Sequence, residues 1–189
     1  MARKLEPSTV RVTVVAMTSK GPEGLAPTSA EHAWLDAQER AVWLSLTGII
    51  FRLPAALDAQ LQRDAGLNYF EYLVLAILSE QPREVLQMSE LARITSASLS
   101  RLSHVAKRLE LAGFMRREQD IIDGRCTNAV LTRAGRKKVV DAAPHHVAEV
   151  RRLVFDGLTQ AQLRQLGRVN DMVLDRVAPG GLGEPFTHR

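Results

Sequence analysis

The stretch SLSRLSHVAKRLELAGFMRREQDIIDGRCTNAVLTRAGR, residues 98–136, decides the fold. Laid out at about 100° per residue, Ser98 to Leu111 places Leu99, Leu102, Val105, Ala106 and Leu109 on one side. Ser100, Arg101, Ser103, His104, Lys107 and Arg108 fall on the other, with Glu110 at the edge. Ser98 has the chemistry of an N-cap and Gly113 that of a terminator. The spacing therefore predicts an amphipathic helix whose exposed face is small, hydroxylated or basic. Beyond it the period changes. Phe114–Gln119 and Thr127–Leu131 read as strands, and Asp120–Arg125 as the hairpin tip joining them.

Upstream, Ser89 reads as the cap of a short helix ending at Ile94, followed by a tight turn at Thr95-Ser96-Ala97. A short helix, a turn, a second helix and a basic hairpin are the parts of a winged helix-turn-helix. In that motif the second helix enters a major groove with its first residues at base edges. Serine permits close approach, and arginine can take a guanine by paired bonds. On amphipathicity alone an ordinary surface helix would be the better reading. The hairpin shifts the balance, because Arg116, Arg117 and Arg125 follow directly. A narrow minor groove attracts arginine, and Asp120 and Asp123 can hold Arg125 extended. The plain alternative is an exposed hairpin whose aspartates serve turn geometry.

Charge agrees with the first reading. Residues 89–138 hold 11 Lys/Arg against 5 Asp/Glu, a net of +6 in a 189-residue chain whose total is +4. A local basic block beside a near-neutral remainder suggests a polyanion-binding face. Aromatics make up 5%, too few for a stacking platform for single strands.

The rest of the chain reads as mainly α. Residues 1–30, with Pro7, Gly21, Pro22, Gly24 and Pro27, read as a disordered arm, and residues 178–189 as a flexible tail. Residues 31–66 form a first long helix that Pro54 should kink or interrupt and Gly66 ends. Its apolar positions spread around too much of the helix for one core-facing stripe, as at a subunit interface. Asn68 with Glu71 is a capping-box start, opening a helix over Tyr69–Ser79. Thr132 opens a helix to about Asp156 with a kink at Pro144, and Thr159 with Gln162 caps a last one. Residues 67–136 thus form a winged helix-turn-helix domain, and residues 137–177 a second helical element.

Several chemistries find no support. No Gly-rich phosphate loop, HExxH, Gly-x-Ser-x-Gly or CxxC is present, so the reading is not an enzyme, and no cofactor or metal is expected. His145 and His146 are adjacent on a helix and point apart, which does not make a chelating pair. Cys126 is the one cysteine, which excludes an internal disulfide and suits a cytoplasmic protein. No apolar run approaches membrane-spanning length on this reading, and no membrane partner is expected.

The segments Ser89-Glu90-Leu91-Ala92, Leu99-Ser100-Arg101-Leu102-Ser103, Lys107-Arg108-Leu109-Glu110 and Gly113-Phe114-Met115-Arg116-Arg117 together resemble the MarR family of bacterial regulators. Asp120, Asp123-Gly124-Arg125 and Leu131-Thr132-Arg133-Ala134-Gly135-Arg136 resemble its wing and the start of its next helix. The resemblance covers roughly residues 31–177. It implies a homodimer joined through the helices of residues 31–66 and 137–177, reading a pseudo-palindromic operator in double-stranded DNA. It places Ser98, Ser100, Arg101, Ser103 and His104 in the major groove, and Arg125, braced by Asp123, in the minor groove. Lys107, Arg108, Arg116 and Arg117 would contact phosphates or form internal salt bridges. Gly124 and His104 depart from the family, which often has arginine at both positions. The implied function is a transcriptional repressor released by a small aromatic or phenolic effector, with Trp34, Trp43 and Phe51 lining the pocket or else forming dimer core. The alternative is a ligand-free regulator of the same fold, controlled by a protein partner or by oxidation of Cys126.

Overall fold

A computed structural model describes residues 34–120 and 123–179. The proposed arm at residues 1–30 and most of the C-terminal tail lie outside the described residues. Among the described residues six α-helices and three strands run in the order α1 (Ala37–Ala65), α2 (Tyr69–Glu80), β1 (Val85–Gln87), α3 (Met88–Ile94), α4 (Leu99–Leu111), β2 (Met115–Gln119), β3 (Thr127–Leu131), α5 (Arg133–Val150) and α6 (Gln160–Val177). The chain divides into two compact units, residues 1–51 and 52–189, with the boundary inside α1.

In the first unit, Asp36 starts α1. Its carboxylate accepts from the backbone N–H groups of Gln38 (2.7 Å) and Glu39 (2.8 Å), and the Glu39 side chain accepts from the Asp36 N–H. This satisfies donors that a helix start otherwise leaves unpaired. Val42, Trp43, Leu44, Leu46, Ile49, Ile50 and Phe51 are all exposed. α1 is a single 29-residue helix through Pro54, so of the expected kink or interruption the interruption does not occur. The same continuity corrects the reading of the apolar runs: by length and composition α1 is long enough to cross a bilayer.

The second unit holds the core. α2 contributes Val74, Leu75, Ile77 and Leu78, and its whole apolar run is buried or half-buried because α5 and β3 pack against it. Leu91, Leu102, Ala106, Leu109, Met115 and Leu131 complete the cluster beneath the helix-turn-helix and the sheet. The capping box read at Asn68 and Glu71 is present, with Glu71 N–H donating to Asn68 Oδ1 at 2.7 Å and Asn68 N–H to Glu71 Oε2 at 2.9 Å. The box at Thr159 and Gln162 is present as well.

The sheet is antiparallel in the order β1-β3-β2. β2 and β3 form the expected hairpin, with Met115 opposite Leu131 and Arg117 opposite Ala129. β1 was not anticipated; its three residues add a strand on the far side of β3, with Val85 opposite Val130. It also changes the start of α3. Gln87, not Ser89, is the N-cap and makes no side-chain cap bond, because the chain arrives extended from the sheet. α5 passes through Pro144, and the helix departs from α geometry only at a π-type turn over Arg151–Phe155. His146 on α5 is buried. Its Nδ1 lies 3.2 Å from Gln60 Oε1 and its ring 4.5 Å from that of Tyr72, a core position rather than a solvated or interface one. Burial holds its pKa below the usual imidazole value.

Candidate nucleic-acid interface

α4 starts as its sequence dictates. The Ser98 hydroxyl accepts from the Arg101 N–H at 3.2 Å, and the turn before it closes with Ala97 N–H on the Ala92 carbonyl at 3.0 Å. Leu102, Ala106 and Leu109 seat the helix on the core. Ser100, Arg101, Ser103, His104, Lys107 and Arg108 are exposed along the opposite side. Leu99 stands at the start of the expected apolar row yet is 57% exposed, because the core beneath α4 begins only at Leu102.

The basic residues sort into two groups. Arg101 and Lys107 form no ion pair among the described residues, and the Arg101 guanidinium lies over the Phe70 ring at 4.5 Å. A guanidinium on an aromatic face is held in place without losing its charge. Arg108 and Arg117 are tied internally. Arg108 Nη2 lies 3.1 Å from Glu71 Oε1, whose side chain is buried in the first turn of α2. Arg117 is gripped three times by Glu110, through its backbone N–H (2.8 Å), Nε (3.0 Å) and Nη2 (2.6 Å). Those bonds hold the Glu110 carboxyl below the usual carboxylate range. Arg116 pairs with Glu118 on its own strand.

The wing tip is organised by its two aspartates. Asp120 accepts from the Asp123 N–H (3.0 Å) and from Asn128 Nδ2 (2.8 Å), and the Asp120 N–H donates to the Cys126 carbonyl. Asp123 accepts from the Arg125 N–H (3.1 Å), Nε (3.0 Å) and Nη2 (3.3 Å), which lowers its pKa. The Arg125 side chain remains 91% exposed. Partial burial, then the nearby Asp123, raises the Cys126 thiol pKa, so little thiolate forms near neutrality.

α4 and the β2–β3 hairpin thus belong to one unit, with exposed cations on both. Sequence reasoning missed the roles of Phe70 and of Glu71 toward Arg101 and Arg108. Glu71 was legible only as a capping-box residue, and a contact between α2 and α4 leaves no local spacing signal. Trp34, Trp43 and Phe51 are exposed. Among the described residues no cluster of His, Cys, Asp and Glu could hold a metal ion.

Comparison with known proteins gives the arrangement its context. Residues 67–127 match the MarR family profile. No curated protein matches the chain. Among solved structures, Sco3205, a MarR family transcriptional regulator from Streptomyces coelicolor solved in complex with DNA, is 42% identical. The match covers 77% of this chain and 91% of that one, with a TM-score of 0.74. AbsC, a MarR family transcriptional regulator from the same organism, is 37% identical over 78% of this chain and 96% of that one, with a TM-score of 0.70. CouR from Rhodococcus jostii RHA1, solved bound to p-coumaroyl-CoA, shares the fold at 23% identity, covering 77% of this chain and 97% of that one, with a TM-score of 0.65. The winged helix-turn-helix, the small antiparallel sheet and two relatives above 30% identity agree, and the chain belongs to the MarR family of transcriptional regulators.

Proposed function

We propose that this chain is a sequence-specific double-stranded DNA-binding regulator, a repressor that acts as a homodimer in the cytoplasm. The observation that carries the reading is the exposed charge of Arg101 and Lys107 on α4, outside any ion pair among the described residues, together with the exposed Arg125 of the wing, in a chain 42% identical to one solved on DNA. Ser98, Ser100, Arg101, Ser103 and His104 face the major groove, and Arg125, oriented by Asp123, enters the minor groove. Lys107 and Arg116 contact phosphates, while Arg108 and Arg117 chiefly position α4 and β2. A second copy of the chain covers the exposed apolar residues of α1 and those of α6, among them Leu163, Val169, Met172 and Val173. Twofold symmetry then sets two half-sites about 10–10.5 bp apart.

A small aromatic or phenolic effector relieves repression by preferring a dimer whose spacing no longer fits adjacent grooves. Trp34, Trp43 and Phe51 supply exposed aromatic faces for it. The test is binding of the full chain to its own promoter region and to random-sequence duplexes across a salt series. Preference for one sequence, with a steep salt slope, supports the reading. No preference there, and no sequence enriched from a random pool, overturns it.

A further inference from the structure

Leu99 is the first residue of α4 and, at 57% exposure, an apolar side chain on an otherwise polar surface. Its neighbours on that surface, Ser98, Ser100 and Ser103, are short, so the leucine is the side chain that projects furthest among them. This is not the fraying of a loose helix end, because the Ser98 cap closes the first turn on the Arg101 N–H. Exposed leucines are common on protein surfaces and usually mean nothing. What distinguishes this one is its place. Helical side chains tilt toward the N-terminus, and the N-terminus of the second helix is the part of a helix-turn-helix that meets base edges. The base edges of a major groove offer one apolar group, the C5 methyl of thymine. The serines add hydroxyls that let the backbone come close, and the Arg101 guanidinium is engaged on the Phe70 ring.

We infer that Leu99 is a specificity residue that packs on a thymine methyl in each half-site. The inference rests on the DNA-reading role proposed above. The experiment uses the duplex enriched from a random pool by the full-length chain. Each thymine of one half-site is replaced in turn by deoxyuridine, which removes the methyl and keeps the base pair. At one position the affinity of the wild-type chain falls about fourfold, the effect of uncovering one methyl group. Leu99→Ala binds the thymine and uracil duplexes equally and unfolds at the wild-type temperature, because the side chain it loses lies outside the core. Indifference of the wild type at every thymine overturns the inference, and so does discrimination that persists in Leu99→Ala; either leaves the DNA-reading role standing. A pool from which no sequence is enriched overturns both.

Discussion

The backbone of Gly135 lies against the carbonyl of Phe114 so closely that a Cβ on Gly135 would stand 1.9 Å from that oxygen. Around this contact the Thr132 hydroxyl donates to the Gly113 carbonyl (2.6 Å) and accepts from the Gly135 N–H (3.0 Å), while the Thr132 N–H donates to the Phe114 carbonyl. The start of α5 is thereby locked onto the link between α4 and β2.

Gly135→Ala must push that link apart. Neither atom in the clash sits at the end of a flexible side chain, so we expect a loss of about 1–3 kcal/mol or more, the range for overpacking a closed site. Urea unfolding measures it. An unchanged midpoint would show that the helix start can shift freely.

Arg125→Ala should weaken specific DNA binding without changing stability, because its side chain is exposed and its partner Asp123 is at the surface. The log–log salt slope should fall by about 1 if the arginine replaces a counterion. Asp123→Asn should cost less, since it removes the brace and leaves the charge. Titrations on the enriched duplex at several salt concentrations separate the two.

Glu71→Ala should be the more damaging half of its pair. It removes an acceptor for the Asn68 N–H and the partner of Arg108 from a buried position. A loss of about 1–3 kcal/mol is expected. Arg108→Ala, at an exposed side chain, should cost under about 1 kcal/mol. Equal losses from the two substitutions, compared by thermal unfolding, would contradict this asymmetry.

Acid should act through His146. Burial depresses its folded pKa below the unfolded value near 6.5. The neutral ring therefore favours the folded state fully above about pH 6.5, and that contribution is lost as pH falls toward the folded pKa. Asp123 and Glu110 are also depressed, but their stabilising share disappears only lower, below the ordinary carboxylate range. The groups packed on His146 are Gln60, Tyr69 and Tyr72; both tyrosines are raised by burial and neutral throughout this window. The wild type should lose stability between pH 7.5 and 5.5, and His146→Phe should flatten that slope. A slope unchanged in the variant assigns the pH dependence to another group.

Local signals were the legible ones. Asn68 with Glu71, Ser98, and Thr159 with Gln162 announce helix starts because each cap is satisfied within three residues. The period change after Gly113 announces the wing. β1 was invisible because three residues are too few for alternation, and without it Ser89 looked like a cap. The helices run on through Pro54 and Pro144, because tertiary context can hold a helix together across a proline. Leu99 was assigned inward by angle alone, although burial at a helix end depends on what stands across from it. The arginines were countable in sequence, but their partners were not: Phe70 and Glu71 reach α4 only through tertiary packing.

Glu110 holds Arg117 by its backbone and its guanidinium at once. It is the hinge pin between the end of α4 and the first strand of the wing. A tilt imposed on one is passed to the other, so helix and wing move together. On the proposed DNA-reading role, an effector that spoils the fit to the operator therefore has to reset the distance between the two copies. Substitutions at Ser100, Ser103 or His104, exposed on α4, leave the angle between helix and wing as it is so long as Glu110 and Arg117 are kept.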